Sequence, residues 1–364
     1  MLPQNDRDFW TETLAPLGAN FGTVEGLSTP LDYGNWRQEW AAVRERTGAF
    51  DGRLRKLWAL VGGDRLSFLQ GMITADVSSV PVGGGTYGAA VTVQGRVVSD
   101  LRVYVLEDEL WLDVPVWRAQ RLREHLERHI VADDVEFREP KWVPLTVLEG
   151  REAPTLIAEW LGSDVSTLPL YGHREVSIGG YGYRVCAVTH TGEKGWIFFG
   201  AADSFPPLWQ QALERGAQPV GWLALDVLRV EAGLPLAGRD MDESTLIAEA
   251  EIEWAISYGK GCYVGQEVVE RVAARGQVQR RRRGFVCRGA TVPEPGARLF
   301  MNDREVGTVT SVAWSPALEC GIGFAYVRRE AWEFGSPLEA RWQQGKATVE
   351  LTRLPFLQLP VDLW

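Results

Sequence analysis

Between Gln38 and Arg46, Trp40 and Val43 fall on one side of a helical projection and Arg44, Glu45 and Arg46 largely on the other. The run stops at Gly48, so the spacing predicts a short amphipathic helix. Leu54 to Val61 reads as a strand, and Gly62-Gly63-Asp64 offers a turn in which Asp64 is the expected N-cap of a helix carrying Leu66, Phe68 and Leu69. From Tyr87 to Leu112, three β-rich runs broken at Gln94-Gly95 and Glu107-Asp108 predict an antiparallel meander. A helix over about Val116 to His129 follows.

Beyond Trp142 the pattern predicts a strand to Leu148, a helix near Ile157, strands through Val185 and Trp196 to Phe199, and a helix over Leu208 to Leu213. From about Arg283 onward, short strands separated by Gly, Pro and Asn-Asp turns replace helices, as in Val306 to Val312 and Thr348 to Leu354. The expected class is α+β with a small C-terminal β-barrel. At 364 residues the chain exceeds the usual size of a single core.

The net charge of -10 sets the average field against nucleic acids and anionic membranes, so neither is an expected partner. No apolar run approaches the roughly 20 residues that span a bilayer. The N-terminus has no basic stretch followed by an apolar core, and a cytoplasmic monomer is expected. Cys186, Cys262, Cys287 and Cys320 form no CxxC pair, so neither a zinc site nor a resident iron-sulphur centre is expected. The metal set is therefore empty.

Four segments carry candidate chemistry. In His190-Thr191-Gly192-Glu193-Lys194-Gly195-Trp196, two glycines present Glu193 on a tight turn. A carboxylate can accept paired hydrogen bonds from a ring N–H and an adjacent amino group, although a solvated hairpin fits the same spacing. Arg229 and Asp226 share a face of a helix ending at Gly233, either as an intrahelical ion pair or with the arginine aimed at a ligand. Lys260-Gly261-Cys262-Tyr263-Val264-Gly265-Gln266-Glu267 puts a thiol in a Gly-bracketed loop before a helix from Gln266 through Ala274. Lys260 and the helix N-terminus both favour its thiolate, and the alternative is a packed, inert cysteine. Cys186, Cys287 and Cys320 lie in strand-like runs and fit burial. Arg275 and Arg280 to Arg283 read as a solvated linker or edge strand, with a polyglutamate tail or RNA as the alternative contact. His125 and His129 share a helix face, but their charged neighbours predict an exposed helix.

Taken in order, these segments resemble the glycine-cleavage T-protein superfamily over most of the chain. Ala42-Val43-Arg44 through Gly48-Ala49-Phe50-Asp51, Phe68 through Val77, HTGEKGW and LRVEAGLPL carry the likeness. The resemblance implies three domains around a central opening. They are a discontinuous folate-binding α+β core (1–50 plus 142–275), a ferredoxin-like α+β domain (51–141) and a C-terminal β-barrel (276–364). It also implies tetrahydrofolate, or a one-carbon derivative, with Glu193 gripping the pterin edge and Arg229 as a second contact.

Within that superfamily, KGCYVGQE is similar to the signature of the YgfZ-type folate-binding proteins, which support iron-sulphur enzymes and are linked to tRNA modification. On that likeness Cys262 and Lys260 act on iron-sulphur client enzymes or assembly proteins, and Glu193 and Cys262 face one cavity. The alternative is an aminomethyltransferase of glycine cleavage. Members with that activity carry paired aspartates where this chain has Ser99-Asp100, leaving Asp100 as the candidate acid or base. A self-contained oxidase is disfavoured by the missing dinucleotide fingerprint.

Overall fold

A computed structural model describes residues 10–276, 278–289, 291–361 and 363. The first predicted helix, observed as Trp36–Glu45, begins two residues before the pattern predicts, because Asn35 accepts hydrogen bonds from the N–H groups of Arg37 and Gln38. The strand Arg55–Val61 leads into the helix Arg65–Met72. Asp64 precedes this helix but does not cap it through its side chain. Its carboxylate instead accepts from the N–H of Asp134 at 2.8 Å and ties the helix start to the chain before the strand Glu136–Arg138.

The predicted meander is Gly85–Val91, Val97–Val105 and Glu109–Pro115. It joins Arg55–Val61 and Glu136–Arg138 in a five-stranded antiparallel sheet. Helices Arg65–Met72 and Ala119–Glu127 cover one face, burying Leu60, Leu69, Leu101, Leu112 and Leu122. His125 lies on the covered side of the second helix, and burial, then the nearby His129, lowers its pKa to about 4. The expectation of an exposed pair fails because the apolar face of this helix takes His125 inward with Leu122 and Leu126.

A second, six-stranded sheet has the order His173–Ile178, Tyr181–Val188, Gly195–Gly200, Val143–Glu149, Gly48–Asp51, Gln218–Val220. Its other face packs on helices including Phe205–Glu214, around Trp10, Ile157, Phe198, Phe205 and Trp209. Tyr104 and Trp111 of the first sheet and Val147, Ile197 and Phe199 of the second share one core, so the two sheets meet face to face. The helix Trp222–Glu231 is buried on nearly every side. It sends Leu225 and Leu228 to that core and Val227 and Val230 to the barrel residues Ile322 and Phe324.

The fold is thus mixed α and β, with a closed six-stranded C-terminal barrel. The strand Arg280–Cys287 pairs with both Cys320–Arg328 and Gly345–Thr352 and closes it. Residues 280–283 pair on one side only, with the strand Cys320–Arg328, while closure is made by Gly284 to Val286; the reading of the arginine run is corrected at its charges, which are not a solvated cluster. Arg282 is 0% exposed and donates to the carbonyls of Ala250 and Gly233, both at 2.8 Å. Arg280 pairs with Glu249, and Arg281 and Arg283 pair with Glu251. All four guanidiniums are engaged by internal carboxylates or carbonyls, which weakens the support for a polyanion contact there; the side chain of Arg275 lies outside the described residues.

Candidate functional site

In the strand Val97–Val105, Asp100, Arg102 and Tyr104 face the second sheet while Leu101 and Val103 enter the helix-covered core. Such a buried polar stripe requires internal partners. Asp113 supplies them, accepting from Arg55 Nε at 2.6 Å, Arg102 Nη1 at 3.2 Å and the Tyr104 hydroxyl at 3.2 Å. Burial disfavours its charge, but Arg55 and Arg102 hold its pKa below the ordinary value.

Asp100 stands differently. Its Oδ2 accepts from the Tyr87 hydroxyl at 3.2 Å, and its buried Oδ1 has no hydrogen-bond partner among the described residues. Burial raises its pKa despite Arg55 and Arg102. Asp100 lines a partly open cavity of about 100 Å³ between the two sheets and the helix Trp222–Glu231. Tyr87 and Tyr171 stack with ring centroids 6.2 Å apart beside it, and Tyr171 sits at φ 66°, where an aromatic residue is strained. His190 completes the polar end, while Trp117, Trp222, Leu225 and Trp254 form an apolar wall. An apolar cavity with a few convergent polar groups has the composition of a small-molecule site.

The turn at 190–193 is held from below by the buried Glu149. This carboxylate accepts from the N–H groups of His190 at 2.9 Å and Thr191 at 2.8 Å, and from the hydroxyl of Thr189 at 3.1 Å. Gly192, at φ 80°, lets the chain reverse there. Glu193 is presented on the turn as the spacing predicts, but it does not line the cavity. Its Oε1 accepts from Arg44 Nη1 at 3.0 Å, and burial raises its pKa against the pull of Arg44. Arg44 also binds Glu231 at 2.8 Å.

Arg229 does line the cavity, with its guanidinium engaged elsewhere. It pairs with Asp226 at 2.7 Å and Asp240 at 2.8 Å and donates to the hydroxyl of Ser311 at 2.8 Å. The residue latches the central helix to the barrel.

Cys262 is exposed, and Cys186, Cys287 and Cys320 are buried. The loop around Cys262 is pinned to the helix Arg65–Met72: Lys260 Nζ donates to the carbonyls of Ala75, at 2.8 Å, and Gln70, and Val264 N–H donates to Gly71 at 2.9 Å. Burial lowers the pKa of Lys260 to about 8, against the opposing Asp76. Its ammonium is spent on carbonyl oxygens and on the Tyr263 ring, 5.2 Å away. Neither Cys262 nor Lys260 lines the cavity, so the expectation that Glu193 and Cys262 share it is not met. The loop is anchored to the outside of the helix Arg65–Met72 instead. No group of three or more metal-ligating side chains occurs among the described residues.

The sequence reading missed Tyr87, Tyr171 and Arg102. Of these, Arg102 had a signal: with Asp100 and Tyr104 it is polar at every second position of a strand whose remaining residues, Ser99 excepted, are apolar. Tyr171 had none, because it reaches the site through a loop conformation.

Comparison with known proteins agrees with this architecture. Residues 10–260 match the GCVT N-terminal domain, and residues 280–358 match the glycine cleavage T-protein C-terminal barrel domain. The chain belongs to the glycine cleavage T-protein family. An aminomethyltransferase of Rubrobacter xylanophilus is 33% identical over 317 residues, covering 86% of this chain and 85% of that protein. One from Pelodictyon phaeoclathratiforme is 30% identical over 357 residues, 96% of each. The crystal structure of glycine cleavage system aminomethyltransferase T from Bartonella henselae superposes with a TM-score of 0.86 at 24% identity, covering 96% of this chain and 97% of that one. T-protein family members use tetrahydrofolate.

Proposed function

We propose that this T-protein family member holds tetrahydrofolate, or a one-carbon derivative, in the central cavity and transfers a one-carbon unit there in the manner of an aminomethyltransferase. The observation that carries this reading is Asp100 Oδ1, a buried oxygen beside an aromatic-walled cavity with no hydrogen-bond partner among the described residues. Leaving such an atom unsatisfied costs about 1–3 kcal/mol or more for a charged group, and a ligand N–H relieves it. The cavity therefore fits a flat, partly apolar ligand that carries ring N–H groups. Tetrahydrofolate, when bound, supplies the amine nitrogen that carries the one-carbon unit.

The chain's own residues do the rest. Tyr87 orients the Asp100 carboxyl through Oδ2, and burial raises its pKa, the direction that favours a carboxyl able to hold and return a proton. The serine that replaces one of the two aspartates is no obstacle. Ser99 is buried next to Asp100, does not line the cavity, and donates its hydroxyl to the Asp100 carbonyl at 2.9 Å. The cavity keeps its own carboxylate.

Purified protein, tetrahydrofolate and an aminomethyl-lipoyl carrier protein should give ammonia and a folate-bound one-carbon unit. No turnover by folded protein that binds folate would remove the transferase reading.

One observation favours a second reading. The thiol of KGCYVGQE is exposed on an anchored surface loop, where a large partner can reach it. On this reading the protein is a folate-binding accessory for assembly or repair of iron-sulphur enzymes, linked to tRNA modification, with Cys262 as the reactive thiol and Lys260 as its neighbour. Cys262→Ser should then abolish support of iron-sulphur enzyme activity in cells while folate affinity holds. Retained support would leave Cys262 without that role.

A further inference from the structure

Residues 354–361 leave the barrel and run back toward the site, where Leu363 also lies. Phe356 stacks on Phe324 with centroids 6.3 Å apart, and its N–H donates to the carbonyl of Glu231 at 2.9 Å. Farther on, Val361 N–H donates to the carbonyl of Gly192 at 3.0 Å. Leu359 lies so close over Gly192 that a methyl group there would collide with it, and Leu363 forms part of the wall of the cavity that holds Asp100. The segment therefore touches the turn that presents Glu193 and also occupies space at the cavity itself. Glu193 keeps 4% of its exposure.

From these contacts we infer that residues 358–361 and 363 form a strap that competes with a reduced folate and must lift from Gly192 before the ligand enters. The inference rests on the folate reading above. The hold is unequal along the strap: Phe356 is stacked on the barrel and bonded to the central helix. Beyond Leu357, the hold on Gly192 among the described residues is one backbone hydrogen bond and the packing of Leu359. Such a short segment can open locally without unfolding the barrel. A site available only in the open fraction has its apparent affinity reduced by that fraction. The strap would thus set both the rate at which the cavity loads and its affinity.

The test uses (6S)-5-formyltetrahydrofolate with three proteins: the full chain, a chain ending at Leu357, and the full-length Leu359→Ser variant, each checked for folding by circular dichroism. Both variants should associate about ten-fold faster than the parent, with a correspondingly lower Kd. Association that is unchanged or slower in both overturns the inference. In the parent protein, hydrogen exchange at the Val361 amide should accelerate on saturation while amides of Val97–Val105 slow. Slowed strand amides with an unchanged Val361 would overturn the strap and leave folate binding standing. Absence of binding by all three folded proteins would remove the folate reading and the strap together.

Discussion

Arg102 Nη1 lies 3.0 Å from His190 Nε2 and 3.2 Å from Asp113 Oδ2. A guanidinium has donors only, so Nε2 must accept and the His190 proton resides on Nδ1, 3.1 Å from Glu149 Oε2. The ring is therefore neutral, in accord with burial, and then Arg102, lowering its pKa against the pull of Glu149. The floor of the cavity depends on this neutral histidine.

Acid should weaken the fold through its histidines before it reaches the carboxylates. His173 is lowered to about 4 by burial and then Arg184, His125 is lowered to about 4, and His190 is lowered as well. Each takes up a proton in the unfolded chain near pH 6.5 but resists it when folded. The unfolded state therefore binds more protons below that pH, so the stabilisation is complete above about 6.5 and is lost as pH falls toward about 4. The slope approaches about 1.4 kcal/mol per pH unit for each such histidine. Urea midpoints should fall between pH 7.5 and pH 5, and a flat profile over that window would contradict the assignment.

Arg282→Met should destabilise the protein without changing any affinity for anions. The substitution leaves the buried carbonyls of Ala250 and Gly233 without their donors, and each such loss costs about 1–3 kcal/mol. A drop of about 2–6 kcal/mol in urea unfolding is expected from the pair. If stability holds and binding to polyglutamate or RNA weakens instead, the arginine run faces an outside partner after all.

This strand also marks where sequence reading stops. The meander, the central helix and the late strands were legible, because their apolar positions repeat with the period of the element they form. The fate of the arginines at the start of the barrel was not, since a run of four arginines looks solvated until Glu249 and Glu251 arrive from a distant segment. The same holds at the site. Asp100, Glu193 and Arg229 stand out as charges in apolar surroundings. Only the fold shows that Arg229 is consumed by Asp226 and Asp240, that Glu193 is held by Arg44 through Oε1, and that Asp100 keeps a fully buried oxygen with no hydrogen-bond partner among the described residues.

Asp100→Asn separates function from stability. Burial disfavours the Asp100 charge, so the neutral isostere should leave thermal stability at pH 7 equal or slightly higher, as expected where a site is kept at some cost to the fold. Turnover should fall by about 10²- to 10⁴-fold, the usual contribution of a positioned acid or base. A large fall in Tm alongside lost activity would instead make Asp100 a structural partner of Arg55 and Arg102.

Glu193→Gln decides whether the turn carboxylate serves the ligand or only the fold. Gln keeps the size and an accepting oxygen but loses the charge that binds Arg44, which retains Glu231 as its other partner. The Glu193–Arg44 pair is largely buried, and breaking it from the acid side leaves a guanidinium still bonded to Glu231 and to the Thr191 carbonyl. The stability loss should therefore stay near 1 kcal/mol, below the ~3–5 kcal/mol expected when a buried charge is stranded. Arg44→Met is the contrasting case, because it strands both Glu193 and Glu231, and it should reach that larger range. If Glu193 exchanges Arg44 for a pterin-like edge, calorimetry with 5-formyltetrahydrofolate should show at least about ten-fold weaker binding to the Gln variant, equivalent to about 1.4 kcal/mol. Unchanged affinity in a protein that remains folded would confine Glu193 to its ion pair and leave recognition to Asp100 and the aromatic walls.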